Sequence, residues 1–138
     1  MKDISIVYWS GTGNTEKIAT SIKKYLENNN HKVDIFEVSN IKPSDLENIE
    51  YVALGCPATG VEALSDEMES FISKIDVNDK NIVLFGSYDW GDGQWMRDWE
   101  DRIKSSGANL KAEGLIVHLT PDEDDLNKGY SLADKLIK

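Results

Sequence analysis

Apolar residues along this chain alternate between two spacings, one typical of buried strands and one typical of a single helical face. Short apolar runs predict strands, each suited to a parallel sheet, at residues 4–9, 32–38, 51–55, 81–86 and 115–119. Apolar residues at three- and four-residue steps predict helices within residues 15–26, 64–75, 95–103 and 126–137. A proline in its first turn indicates one more short helical segment, which opens at residues 42–45.

Five strands that alternate with five helical segments predict an α/β fold with a parallel sheet. Helices would cover both faces of the sheet, which gives a three-layer sandwich. The 138 residues contain no repeat or linker, so we expect residues 1–138 to form a single domain. Ligands of such sheets bind beyond the carboxyl ends of the strands, at the point where the strand order reverses. The loops after strands one, three, four and five are therefore the candidate site.

The first of these loops has the composition of a phosphate-binding turn. It reads Ser10-Gly11-Thr12-Gly13-Asn14-Thr15 and leads directly into the first predicted helix. Two glycines allow a tight turn, and backbone N–H groups at a helix start attract anions. The loop has no lysine for a triphosphate and no third glycine for a dinucleotide, so a single phosphomonoester fits best. A plain polar helix cap remains the structural alternative.

The loops after strands three and four supply candidate walls for a flat ring. Trp90 lies in a segment rich in glycine and aspartate, outside any apolar stripe, so it is the candidate to stack on such a ring. Trp95 and Trp99 are four residues apart on a predicted helix, which favours a buried core position for both.

These motifs resemble those of flavodoxins. The first loop is similar to the family's Thr/Ser-x-Thr-Gly-x-Thr loop, which binds the phosphate of flavin mononucleotide (FMN). Gly86-Ser87-Tyr88, Trp90-Gly91-Asp92-Gly93 and Trp95-Met96 are similar to a signature of the short-chain flavodoxins of clostridia. The resemblance covers essentially the whole chain. It implies a flavodoxin-like fold with strand order 2-1-3-4-5 and non-covalently bound FMN.

The same resemblance implies a function and a set of cofactor contacts. The function is that of a low-potential one-electron carrier, not an enzyme, which shuttles between flavin semiquinone and hydroquinone as a substitute for ferredoxin. Glu62 would accept a hydrogen bond from flavin N3–H, the Gly60 carbonyl one from N5–H, and Trp90 would stack on the ring. No catalytic residue and no metal ligand is implied. The implied cofactor-binding residues are Ser10, Gly11, Thr12, Gly13, Asn14, Thr15, Pro57, Ala58, Thr59, Gly60, Glu62, Ser87, Tyr88, Asp89, Trp90, Gly91 and Gly93.

Four positions depart from the family pattern: Pro57, Thr59, Val61 and Asp89. Pro57 removes a hydroxyl that could reach the phosphate. In the turn at residues 59–62, Gly60 accepts a positive φ, whereas the β-branched Val61 resists it. We therefore expect a type II′ turn with the positive φ at Gly60.

The charge balance narrows the choice of partners. A formal net charge of −10 argues against nucleic acid, whose phosphates require concentrated Lys and Arg. Acidic residues near the flavin loops would lower the potential of the reduced flavin and dock basic faces of redox partners such as ferredoxin-linked oxidoreductases. These acids are Glu62, Asp66, Glu67, Asp89 and Asp92. We expect a monomer.

Cys56 is the only cysteine, so no disulfide forms within the chain, and a cytoplasmic location is expected. A small apolar thiol at a strand end explains it better than a nucleophile does. His118 falls at the end of strand five near the expected cofactor edge, and its role stays open. No apolar window is long enough to span a membrane.

Two other functions remain open from the residues alone. One is a small FMN-dependent reductase or flavodoxin-like redox activator, which would need a substrate pocket above the ring. The other is a flavin-free phosphate-binding or signalling module. Binding of FMN separates the second from the flavoproteins, and turnover with reduced nicotinamide and quinones separates the first from a carrier.

Overall fold

The computed structural model of the protein describes residues 2–138, in which one parallel sheet carries four α-helices. The strands are β1 (Asp3–Tyr8), β2 (Lys32–Glu37), β3 (Tyr51–Gly55), β4 (Asn81–Tyr88), β5 (Asn109–Leu110) and β6 (Leu115–His118). Their order is β2-β1-β3-β4, with β5 and β6 both paired to β4 along the outer edge. The predicted order 2-1-3-4-5 is confirmed, with the fifth strand in two pieces.

The helices are α1 (Asn14–Asn28), α2 (Asp66–Ile72), α3 (Gln94–Ser105) and α4 (Glu123–Leu136). The predicted segment that opens at residues 42–45 is a 3₁₀ turn of four residues, Pro43–Leu46, and a second such turn covers Val38–Asn40. The residue directly before the helix caps both α2 and α4 with its side chain. Ser65 accepts the Met68 N–H before α2, and Asp122 and Asp125 form a reciprocal cap before α4.

The two faces of the sheet bury separate cores, as expected for strands covered by helices on both sides. Alternate strand residues point to opposite faces. In β3, Val52 and Leu54 therefore join the core under α2 and α3, whereas Ala53 joins the core under α1 and α4. Trp95 and Trp99 are buried in the first of these cores, which confirms their predicted position.

The fifth strand departs from the sequence-based prediction. The chain leaves the sheet after Leu110 and returns at Leu115. In between, the Gly114 N–H donates to Glu100 at 2.5 Å, and any Cβ on Gly114 would collide with the Met96 side chain. Contact with α3 thus interrupts the strand. β6 ends at His118, one residue earlier than predicted, because Leu119 has a φ of 62°.

The topology places the predicted loops together. The chain leaves β1 toward β2 on one side and later leaves β3 toward β4 on the other, so the order reverses between the adjacent strands β1 and β3. A ligand site is expected at that point.

No helix within residues 2–138 is long and apolar enough to cross a bilayer.

Candidate functional site

A cleft of about 290 Å³ lies at the carboxyl ends of β1, β3, β4 and β6. All but two of its lining residues were predicted to bind the cofactor, and the two exceptions are Trp9 and Leu119. Their signal was weak, because both lie directly at the end of an apolar strand. The lining residues are Trp9, Gly11, Thr12, Asn14, Pro57, Ala58, Thr59, Ser87, Tyr88, Asp89 and Leu119.

A larger hollow of about 500 Å³ lies elsewhere, between α3 and residues 110–116. Its lining includes three charged side chains of α3, those of Arg97, Glu100 and Lys104. It lies beside the interrupted strand rather than beyond the strand ends where ligands of this fold bind. We therefore take the smaller cleft as the candidate site.

The loop before α1 presents backbone N–H groups to an anion. Gly13 has a φ of 94° and gives α1 no side-chain cap. The N–H groups of Asn14 and Thr15, at the helix start, have no acceptor within the helix. The Ser10 hydroxyl folds inward and accepts the Gly13 N–H at 3.0 Å and the Glu16 N–H at 3.4 Å. This loop therefore offers neutral donors and the positive end of a helix dipole.

Thr15 joins this loop to the end of β4. Its side chain is fully buried, with its hydroxyl oxygen 3.0 Å from that of Ser87. The Ser87 N–H also donates to the Thr15 hydroxyl, at 3.3 Å. Thr15 thus lies beneath the loop and connects two walls of the cleft. Its role as a direct phosphate donor stays a prediction.

Aromatic side chains shape the apolar part of the cleft. Gly11 leaves room for the Trp9 indole, which would lie 3.1 Å from a Cβ at that position. The Tyr88 ring packs against two other rings, with its centroid 5.7 Å from that of Trp95 and 5.1 Å from that of His118. Trp90 is 60% exposed and is not among the lining residues. Its stacking on a bound ring therefore stays a prediction.

The turn after β3 closes one residue later than predicted. Thr59 and Ala63 exchange two backbone hydrogen bonds, at 2.7 and 2.8 Å, so the loop between them has three residues. The positive φ at Gly60, 55°, is confirmed, and Val61 has no positive φ. Glu62 has a φ of 56°, which was not predicted.

Glu62 ties this turn to the loop after β4. Its Oε1 accepts N–H groups of Asp92 at 3.2 Å, Gly93 at 2.9 Å and Gln94 at 2.9 Å. Gly91 makes the contact possible, since a Cβ there would lie 2.7 Å from the Glu62 carboxyl carbon. The carboxylate therefore caps the start of α3, and its negative charge interacts favourably with the positive end of the helix dipole. Acceptance of flavin N3–H by this residue remains a prediction.

Cys56 has the properties of a core residue. It is fully buried, and burial raises the pKa of its thiol to about 11. Its sulfur accepts the Ser65 N–H at 3.5 Å, and its carbonyl accepts the Trp95 indole N–H at 3.2 Å. A thiol that stays protonated and covered is a poor nucleophile. The structure thus agrees with the packing role expected from the sequence.

These features fit FMN better than a metal or a triphosphate. A helix start without a basic side chain suits one phosphate, and a Cβ on Gly13 would meet no atom within 4 Å, so the loop lies open to a ligand. The adjacent cleft is largely apolar, as a flat ring requires. Among residues 2–138, no group of His, Cys, Asp and Glu side chains is arranged to hold a metal ion.

Comparison with known proteins leads to the same class. A family model described as Flavodoxin matches residues 6–131. The chain is 45% identical to a flavodoxin of Clostridium beijerinckii over 137 residues, which cover 95% of this chain and 99% of the relative. It is 37% identical to a flavodoxin of Megasphaera elsdenii over 122 residues, which cover 86% of this chain and 88% of the relative. The solution structure of two-electron reduced Megasphaera elsdenii flavodoxin matches with a TM-score of 0.86 and 34% identity, covering 95% of this chain and 98% of that one.

The family match, over residues 6–131, covers the strands and loops that form the cleft, and both relatives align over most of the chain. They support an electron carrier and do not favour the reductase or activator alternative. The chain belongs to the flavodoxin family, in its short-chain clostridial type, and is thus an FMN-binding electron-transfer protein that exchanges electrons with redox partner proteins.

Proposed function

We propose that this protein is a low-potential one-electron carrier that holds FMN in the cleft at the carboxyl ends of β1, β3, β4 and β6 and substitutes for ferredoxin. Bound FMN would supply the one-electron redox chemistry, and the chain supplies binding, orientation and electrostatics. The observation that carries the proposal is the start of α1, where the N–H groups of Asn14 and Thr15 have no acceptor within the helix and lie beside an apolar cleft.

In this proposal the two ends of FMN have different partners. The phosphate would take N–H and hydroxyl donors of the first loop, namely Ser10, Gly11, Thr12, Gly13, Asn14 and Thr15. The ring would lie against the loops after β3 and β4, which include Pro57, Ala58, Thr59, Gly60, Glu62, Ser87, Tyr88, Asp89, Trp90, Gly91 and Gly93. No Lys or Arg lies between Ser10 and Glu16, so only neutral donors would contact the phosphate and it would keep its full charge.

Acidic side chains support a low potential. Four exposed acidic residues lie in or next to the two ring loops, namely Asp66, Glu67, Asp89 and Asp92. Asp92 forms an ion pair with Arg97 at 3.1 Å. Negative charges disfavour a further negative charge nearby, so they make the fully reduced cofactor a stronger donor. The same acids give partners with basic faces a place to dock, and such docking weakens as salt rises.

Three further parts of the proposal concern the molecule as a whole. We infer that residues 1–138 act as a single FMN-binding domain, that the protein is a monomer, and that it works in the cytoplasm. The buried, unpaired Cys56 is consistent with a reducing compartment. The net charge of −10 supports a monomer, since like-charged copies repel each other.

Two titrations test the proposal. Apoprotein should bind FMN at least about 100-fold more tightly than riboflavin, because loss of the phosphate leaves several N–H donors unpaired. Equal affinities would remove the phosphate role of the first loop, and no binding of either flavin would overturn the proposal. Stepwise reduction of the FMN complex should then show two separate one-electron steps. A single two-electron step would instead favour the reductase alternative.

A further inference from the structure

Leu119 has a backbone conformation that leucine resists. Its φ is 62°, in the left-handed region, where a Cβ crowds the following carbonyl oxygen. Two of the other non-glycine residues with positive φ in residues 2–138, Asn30 and Asp79, are of types that tolerate this region. A leucine there is an outlier, and such outliers cluster at ligand-binding sites.

Three contacts hold Leu119 in this conformation. Its N–H donates to the Tyr88 carbonyl at 2.9 Å. The neighbouring His118 lies against the Tyr88 ring, and its Nε2 is 3.0 Å from the Asp89 carbonyl oxygen. Tyr88 and His118 are also opposite each other in the β4–β6 pairing. The end of β6 is therefore fastened to the loop that lines the cleft.

Without a ligand, burial of the Leu119 side chain is too incomplete to offset its backbone strain. The Leu119 side chain is 46% exposed and lines the cleft together with Trp9, Pro57 and Ala58. Residues 2–138 expose only three large hydrophobic side chains, and Leu119 is the one that lines this cleft. A flat apolar ligand in the cleft would cover it and remove its apolar surface from water.

We propose that Leu119 is a binding residue for the flavin ring and that His118 is the positioning residue that holds its wall in place. This rests on the proposed function. Because Leu119 would contact the ring and not the phosphate, its loss should weaken FMN and riboflavin by the same factor. The ratio of the two affinities therefore separates this wall from the phosphate loop.

The test compares two glycine variants in apoprotein. Leu119→Gly relieves the positive φ and removes the Leu119 side chain, and Asp79→Gly makes the same backbone change just before β4, at the end of the strands away from the cleft. Flavin affinity is measured by quenching of flavin fluorescence, and stability by the urea midpoint. Leu119→Gly should lower both flavin affinities by roughly five- to tenfold, the effect of uncovering part of one leucine. Its urea midpoint should not fall below that of Asp79→Gly.

Leu119→Asn controls for the extra backbone flexibility that glycine introduces. Asparagine tolerates the left-handed region without that flexibility, but its side chain is polar. It should weaken both flavins as Leu119→Gly does. For His118, the Phe variant keeps a ring on Tyr88 but removes the donor to Asp89, and the Gln variant keeps a donor. The Phe variant should lower the affinity for both flavins about two- to fivefold, because one weak neutral hydrogen bond is lost. The Gln variant should restore the affinity.

The outcomes are distinguishable. Wild-type apoprotein that binds neither flavin would overturn the proposed function and this inference together. Wild-type binding with unchanged affinities in Leu119→Gly would overturn only the role of Leu119. A loss confined to FMN, or an equal loss in Asp79→Gly, would also overturn it. A Phe variant of His118 that binds like wild type would overturn the positioning role.

Discussion

Replacing Glu62 by alanine should destabilise the FMN-free protein at the start of α3. One oxygen of this carboxylate accepts three backbone N–H groups of the loop after β4. Alanine would leave those donors to water and would free the loop from the turn at residues 59–63. Because both residues have a Cβ, the positive φ at position 62 costs about the same before and after the change.

The expected magnitude follows from two contributions. Loss of a helix cap costs about 0.5–2 kcal/mol, and loss of a negative charge at a helix start costs about 0.3–1 kcal/mol at a surface position. Glu62 is half-buried, so solvent screens part of this, and a total of about 1–2.5 kcal/mol is expected. At roughly 4 °C per kcal/mol for a chain of this size, Tm should fall by about 4–10 °C. Glu62→Gln keeps an acceptor oxygen and should cost less than half as much.

The assay is urea unfolding of apoproteins, with amide hydrogen exchange at residues 92–94 as a local readout. Asp89→Asn removes a charge from the same loop and controls for the reduced net charge. Gly91→Ala supplies a second route, since its methyl would displace the Glu62 carboxylate. Its cost should therefore be smaller in a Glu62→Ala background, by at least about 0.5 kcal/mol of coupling. If Gly91→Ala costs the same stability in both backgrounds, or if amide exchange at residues 92–94 is unchanged, the stabilising contact between Glu62 and this loop is refuted.

Three other predictions concern the flavin and the thiol. Trp90→Ala should weaken FMN binding by about 1–3 kcal/mol, the size of one stacking contact, and an unchanged Kd in a fluorescence titration would mean that Trp90 faces away. Asp89→Asn should raise the lower of the two one-electron potentials by roughly 20–70 mV, taking a separation of ~10 Å and an effective permittivity of ~80 to ~20. A fall in that potential, measured by redox titration, would contradict the electrostatic account. Cys56, whose pKa burial raises from 9.0 to about 11, should react with a disulfide reagent at pH 8 only after unfolding. Its contribution to stability should be complete below pH 9 and lost as pH rises through 11, and a thiol that reacts fast in the native protein would contradict its burial.

Local patterns were enough to predict most of the scaffold. The strand cores and the buried faces of Trp95 and Trp99 depend on periodicity, which a single segment carries by itself. The positive φ at Gly60 could also be predicted, because the choice lay between glycine and a β-branched neighbour. The first loop was recognisable because donors and glycines are adjacent in sequence.

The features that were missed depend on contacts between distant segments. Glu62 caps a helix that begins 32 residues later, and nothing near position 62 indicates it. Leu119 has a conformation that its residue type disfavours, imposed by the bonds at Tyr88 and Asp89. Thr15 was predicted to bind the cofactor, and its buried contact with the Ser87 hydroxyl, 72 residues away, was not indicated by the sequence. Tertiary contacts overrode local preference at each of these positions.

The break between β5 and β6 also affects how the protein behaves at high concentration. An edge strand presents unpaired N–H and C=O groups, on which a second molecule can add a strand and begin to aggregate. Here that edge is divided into pieces of two and four residues. On the other edge, β2 exposes the charged side chains of Lys32 and Asp34. Neither edge is the long, flat, apolar strand that promotes such association, so the contact of Gly114 with α3 also protects the sheet from aggregation.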